Sequence, residues 1–233
     1  MRFSFDPDRP EGERIENAII VNDAGEVTVD NPDAVAALEE AASWVGEITP
    51  QGVLAYQEEE ARGVFQAGHA VFMRNWPYAW ALANAEDSPI KGKVGVTALP
   101  KGGEDGRHTG TLGGWNLAVS RYSDRREDAI DLVRYLASYA EQKRRAVEGA
   151  YNPTIKALYD DEEVLAANPF FGELYDTFVD AVARPSDVTG ARYNQVSTEF
   201  WNAVHNTLNG STTAERALSG LQRKLERLAR TWR

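Results

Sequence analysis

The sequence has no cysteine among its 233 residues, so it can form neither disulfides nor thiolate metal sites. Its three histidines, His69, His108 and His205, are far apart in the chain and lack the spacing of metal ligands. It also lacks an apolar run long enough to span a bilayer. We therefore predict no metal, no other cofactor and no membrane-spanning segment.

Positive charge is scarce as well. The chain has 25 Lys and Arg residues against 36 Asp and Glu residues, for a formal net charge of −11. Such a surface repels a phosphate backbone, which argues against a nucleic-acid partner. The glycine-rich stretch KGGEDGRHTGTLGG (101–114) matches neither nucleotide-binding glycine motif. The opening residues, MRFSFDPDRPEGERIENAII, lack the basic and then apolar layout of a signal peptide, so no export signal is predicted.

Strand and helix patterns alternate along the rest of the chain, which predicts an α/β fold with a partly parallel sheet covered by helices. A hairpin is predicted around the turn NDAG. Helices are predicted to begin at the Asn31–Pro32 pair and at Pro77, because proline is favoured in the first helical turn. A buried strand is predicted for HAVFMRN (69–75), and further strands for KVGVTALP (93–100) and WNLAVS (115–120).

Aromatic residues are concentrated in RNWPYAW (74–80), where a predicted strand turns into a helix. Trp115 follows two glycines at the start of another predicted strand. In α/β folds ligands gather at strand ends, and an indole face packs well against the C–H face of a sugar ring. The residues therefore suggest a sugar site. Three other tryptophans, Trp44, Trp201 and Trp232, occupy helical positions at which we expect core packing.

A series of blocks in the sequence resembles the extracellular sugar-binding proteins of ABC importers, and within them the maltose/trehalose-binding group. The blocks run in family order from EEEARGVFQAGHAVFMRNWPYAWALA through GKVGVTALPKG, TLGGWNLAVS, AIDLVRYLAS and RRAVEGAYNPTIKALY to ARPSDVTGARYNQVSTEFWNAV. The resemblance begins near Val27 and continues almost to the C-terminus. It implies a two-lobed, periplasmic-binding-protein-like α/β fold that closes on a sugar and docks on a membrane permease.

The resemblance also implies individual site residues. The family's stacking tryptophan corresponds to Trp76, with Tyr78 beside it, and GGW supplies cleft contacts. An arginine that bonds sugar hydroxyls matches the ARP motif, and a planar donor fork suits that role. The YNP motif lies near the cleft, and Trp201 is a weaker candidate. The ligand-binding residues implied are Trp76, Tyr78, Gly114, Trp115, Tyr151, Asn152 and Arg184.

The lobes follow from the same resemblance. Residues 1–104 and 156–233 are expected to form one mostly complete C-terminal lobe, residues 105–110 a hinge, and residues 111–155 a remnant of the N-terminal lobe. The long N-terminal segment of the family has no counterpart, so we expect a truncated binding protein. With strand 115–120 lacking neighbours, we expect self-association as a homodimer through the Thr111–Ile155 region.

We thus expect a non-enzymatic sugar-binding component of an ABC importer, with a di- or oligosaccharide ligand, permease subunits as partners and a periplasmic or extracytoplasmic location. Di- and oligosaccharides share the stacking requirement, so the residues do not identify the sugar. Two alternatives stay open. A glycoside hydrolase would need two carboxylates across a cleft, and no Asp or Glu lies within the aromatic blocks. An interaction scaffold would not respond to sugar.

Overall fold

The computed structural model describes residues 20–22, 25–101, 108–179 and 181–232. These residues are mostly helical. The α-helices are α1 (Pro32–Trp44), α2 (Glu58–Gln66), α3 (Tyr78–Ala83), α4 (Arg126–Leu136), α5 (Tyr139–Gly149), α6 (Glu162–Ala167), α7 (Phe170–Val179), α8 (Ser186–Thr189), α9 (Tyr193–Leu208) and α10 (Ala214–Ala229). Short 3₁₀ helices occupy Gln51–Ala55, Lys156–Tyr159 and Gly190–Arg192.

The described residues divide into two compact units. The first unit contains residues 20–22, 25–56, 101 and 181–232, and the second contains residues 57–100 and 108–179. The lobe boundaries and the hinge expected from the resemblance stay a prediction, and residues 105–107 of that hinge lie outside the described residues.

In the first unit, α1, α9 and α10 pack against one another around an aliphatic core. Gln222 of α10 fixes the preceding segment to this core: its Nε2 donates to the Val27 carbonyl at 2.9 Å, and its Oε1 accepts from the Asp30 amide at 3.3 Å. The buried core residues are Val29, Leu38, Val196, Ala214, Leu218, Leu221 and Leu225. Trp232 packs against this cluster, as predicted.

The second unit has an aromatic core, formed by α5, α6, α7 and the 3₁₀ turn that holds Tyr159. The ring of Tyr159 meets that of Phe171 edge to face at 5.9 Å, and Phe171 meets Phe170 at 4.8 Å. Trp80 of α3 adds a fourth ring, 5.4 Å from Phe170. Through Trp80, helix α3 is fixed to the core of the second unit.

Local capping places the first turns of α1 and α3 where the sequence predicts them. The Asn31 side chain accepts from the Ala34 amide at 2.9 Å, and Pro32 occupies the first turn of α1. Pro77, with φ −56° and ψ −27°, leads directly into α3. Gly46 and Gly68 follow the ends of α1 and α2 with φ of +86° and +81°, a conformation that glycine adopts without steric cost.

The prediction of strands at 69–75, 93–100 and 115–120 is wrong for this structure. Within the described residues, β-pairing is limited to isolated bridges, among them antiparallel Val21–Val27 and parallel Val45–Thr49. The first bridge confirms the pairing predicted around NDAG. Segments 69–75, 93–100 and 115–120 carry no ladder, and Val71 and Phe72 are 83% and 91% exposed. A strand needs a neighbour to satisfy its backbone groups, and no described segment pairs with these three.

Across the residues that the structure describes, every helix is too short or too polar to cross a bilayer.

Candidate functional site

An aromatic cluster in the second unit forms around the first turn of α2. It consists of Trp76, Tyr78 and Tyr151 together with two carboxylates, Glu58 and Glu59. The indole Nε1 of Trp76 donates to Glu58 Oε1 at 3.3 Å. The Tyr78 hydroxyl donates to Glu59 Oε1 at 2.7 Å. The rings of Trp76 and Tyr78 are therefore each held by a hydrogen bond at the polar edge.

Asn75 fixes the backbone that carries these rings. Its Nδ2 donates to the Glu58 carbonyl at 3.1 Å, and its Oδ1 accepts from the Trp76 amide at 2.8 Å. Pro77 then starts α3, which places Tyr78 at the first position of that helix. The RNWPYAW segment is thus joined to the N-terminal turn of α2 by backbone and side-chain bonds together.

Tyr151 enters the cluster from the end of α5. Its ring stacks on that of Tyr78, with centroids 6.3 Å apart and planes 15° from parallel. The chain turns there because buried Ala150 adopts a left-handed conformation, with φ of 53°. Gly149 leaves room for the ring, since a Cβ at that position would lie 2.7 Å from Tyr151 Cε2.

The cluster is negatively charged. A hydrogen bond from its own backbone amide, followed by the bond from the Trp76 indole, lowers the pKa of Glu58. Bonds from Arg62 and then from the Tyr78 hydroxyl lower the pKa of Glu59. Partial burial, reinforced by the bond to Glu59, raises the pKa of Tyr78 to about 12. Near neutral pH the two carboxylates are therefore ionised and the phenol is protonated.

Two of the three rings remain accessible, whereas Tyr78 is half-buried. Trp76 is 39% exposed and Tyr151 is 56% exposed. Trp76 is held by its bond to Glu58 and Tyr151 by stacking on Tyr78. These side chains therefore offer flat apolar faces beside hydrogen-bond acceptors. Such a surface suits the C–H face and hydroxyls of a sugar.

The structure does not bring every predicted site residue into this cluster. Trp115 belongs to the second unit but is fully exposed, and it has no ring partner among the described residues. A Cβ added at Gly114 would meet no atom within 4 Å. Asn152 is exposed, and the neighbouring Pro153 carbonyl accepts from the Tyr159 hydroxyl at 2.9 Å. Arg184 lies in the first unit and is exposed.

Two tryptophans expected in the core are on the surface. Trp44 is 43% exposed and Trp201 is 54% exposed. Their helical spacing is compatible with either a core or a surface position, because a large ring at the edge of an apolar stripe need not be covered.

Sequence reasoning missed the two glutamates. They precede the rings by 18 and 19 residues, and their local pattern indicates only a helix start. Carboxylates do lie against the aromatic block, although none lies within it in sequence. The structure gives no group of three or more His, Asp or Glu side chains placed to hold a metal ion, within the residues that it describes.

The chain matches the family model of the bacterial extracellular solute-binding proteins over residues 10–143. It is 53% identical over 214 residues to a probable ABC transporter-binding protein of Deinococcus radiodurans, covering 91% of this chain and 51% of that protein. This chain belongs to the bacterial extracellular solute-binding protein family.

Solved structures of the family share the fold. Maltose-bound MalE3 of T. maritima is 43% identical, with a TM-score of 0.84 over 90% of this chain and 54% of that one. A solute-binding protein of Thermotoga lettingae bound with α-D-tagatose is 24% identical, with a TM-score of 0.76 over 90% of this chain and 53% of its own, and shows the fold alone. The prediction of a periplasmic-binding-protein-like fold is confirmed. The chain spans about half the length of these relatives.

Proposed function

We propose that this chain is the sugar-binding component of an ABC importer and takes a neutral di- or oligosaccharide of the maltose or trehalose type at the aromatic cluster. The observation that carries the proposal is the pair of edge-bonded rings, the exposed Trp76 and the half-buried Tyr78. A neighbour at 43% identity was solved with maltose, which supports a sugar of this class. Trp115, Gly114, Asn152 and Arg184 are proposed as further contacts on the family resemblance.

The electrostatics favour binding over hydrolysis. A glycosidase needs a carboxylic acid that stays protonated near neutral pH, so that it can protonate the leaving oxygen. The pKa values of Glu58 and Glu59 are both lowered, and both side chains already accept bonds from the rings. Incubation with maltose or trehalose should therefore release no glucose.

The partners follow from the same proposal. We expect the membrane subunits of an ABC permease as the docking partner and a periplasmic or extracytoplasmic location. We also propose a homodimer through Thr111–Ile155, where Trp115, Leu117 and Tyr135 are 101%, 52% and 59% exposed. Light scattering that reports a monomer at high concentration would refute the dimer.

The sugar proposal is tested by fluorescence titration with maltose and trehalose. Stacking of an aromatic ring contributes roughly 0.5–1.5 kcal/mol, and the chain supplies about half of a relative's length, so we expect affinity near 1 mM, about −4 kcal/mol. Trp76→Ala should weaken binding by about 2- to 12-fold. Trp44→Ala is the control, because Trp44 is 43% exposed against 39% for Trp76 and lies in the first unit. Equal effects of the two substitutions would remove Trp76 from the site.

A further inference from the structure

Three consecutive glutamates begin α2, and each has a different partner. Glu58 accepts from the Trp76 indole and Glu59 from the Tyr78 hydroxyl. Glu60 accepts instead from the Gln57 amide at 3.0 Å, which completes a capping box. Glu60 thus completes the usual capping pattern of a first helical turn, whereas Glu58 and Glu59 bond to rings.

We propose that Glu58 and Glu59 are positioning residues that hold the rings of Trp76 and Tyr78 in the orientation in which they bind ligand. The proposal rests on the proposed function for its ligand, a neutral sugar, and on the structure alone for the two hydrogen bonds.

The geometry explains why carboxylates suit this role. Both bonds reach the polar edge of a ring, so neither carboxylate covers a ring face. One face of Tyr78 is taken by the stacked Tyr151 ring. Hydrogen bonds to an ionised acceptor are roughly twice as strong as neutral ones. An accessible ring that is already fixed loses less conformational freedom when a ligand packs on it, which improves affinity without any new contact.

Glu59 is itself held in place. Arg62, one turn along α2, donates to Glu59 Oε2 from Nε at 2.9 Å and from Nη2 at 2.6 Å. The other oxygen, Oε1, receives the Tyr78 hydroxyl, and the Tyr78 ring in turn stacks on Tyr151. Glu59 thus links helix α2 to the Tyr78 ring, and through the stacking to the Tyr151 ring.

The bonds can be tested without any ligand. The chain has six tryptophans, so a ¹⁵N spectrum has six indole N–H signals, and Trp76→Phe identifies the one of interest. Glu58→Leu removes the acceptor and should move that signal upfield, towards the position of a solvated indole. Glu58→Gln keeps an acceptor oxygen and should leave it near its original position. An unmoved signal in Glu58→Leu would overturn the assigned bond.

The effect on ligand is tested by maltose titration of the same proteins and of Glu59→Leu and Glu59→Gln. We expect each leucine variant to weaken binding about 3- to 10-fold and each glutamine variant to restore most of it. Glu60→Leu is the matched control: it lies in the same helical turn and removes the same charge, yet Glu60 caps the helix and holds no ring. It should leave the Trp76 indole signal and the binding constant unchanged.

Two results would overturn the positioning role. One is a displaced indole signal with unchanged maltose binding, and the other is equal weakening by Glu60→Leu. A wild-type chain that binds neither maltose nor trehalose would refute the proposed function, and the indole signal would still decide whether Glu58 holds Trp76.

Discussion

The first unit buries aliphatic side chains between long helices, whereas the second buries aromatic rings between short ones. In the first, α9 and α10 contain 16 residues each and present Val196, Leu221 and Leu225 to the core. In the second, α6 and α7 contain 6 and 10 residues, and Phe170 and Phe171 of α7 lie in the buried core that the two helices share. Short helices bury little surface along their length, so large rings supply more of the packing in the second unit.

The largest expected effect tests this contrast directly. Phe171 and Leu225 are each fully buried, one in each core. Truncation leaves a cavity, and we expect Phe171→Ala to lower the free energy of unfolding by about 3–5 kcal/mol and Leu225→Ala by about 2–5 kcal/mol. Urea denaturation measures both. Val71→Ala is the control, since Val71 is 83% exposed. A clearly larger loss for Leu225→Ala would contradict the view that rings dominate the second core.

The second prediction concerns stability at acid pH, which we expect to depend more on a carboxylate in the second unit than on one in the first. Glu141 is 5% exposed in the second unit, and hydrogen bonds from Arg144, followed by those of Tyr135 and the charge of Arg145, lower its pKa to about 2. The ordinary pKa is 4.5. The folded state therefore gains stability from Glu141 above pH 4.5, and this gain is lost as the pH falls from 4.5 towards 2.

Glu141→Gln should consequently lower stability at neutral pH and flatten its decline below pH 4.5, as measured by urea denaturation across pH 2–7. The counterpart in the first unit is the pair Lys224–Glu199, at 2.7 Å, whose side chains are 53% and 28% exposed. Water screens such a pair, so Glu199→Gln should change stability by no more than about 1 kcal/mol. Indistinguishable pH profiles for the two variants would show that Glu141 has no special part in acid stability.

The smallest expected effect is at a helix start. Asn31→Ala removes the acceptor for the Ala34 amide and should cost about 0.5–2 kcal/mol in the first unit. Asn31→Asp keeps an acceptor and serves as the control, measured by the same urea denaturation. Equal losses for both substitutions would assign the effect to something other than capping.

Local sequence signals predicted the helix starts, whose geometry depends only on neighbouring residues. Asn31, Pro32 and Pro77 indicate helix starts because capping and a fixed φ act within one turn. The density of rings in residues 74–80 also predicted where the aromatic cluster lies. The resemblance to the solute-binding family supplied the fold class, which periodicity suggested only in outline.

The remaining features depend on contacts between distant residues. The continuous apolar run in 69–75 indicates a strand, but pairing needs a neighbour that the run does not specify, and Phe72 is almost fully exposed. The position of Glu58 against Trp76 depends on how α2 meets the loop before α3. Neither segment contains a signal for the other, so the carboxylate half of the candidate site could not be predicted.

The space left by Gly149 has a consequence for comparing relatives. The Tyr151 ring fills the volume that a Cβ at position 149 would need, so any larger residue there requires the ring to move. The residue at position 149 is thus an indirect marker of the stacked pair, visible in a bare sequence. We expect relatives with a larger residue at that position to hold the ring in a different orientation even where both tyrosines are present.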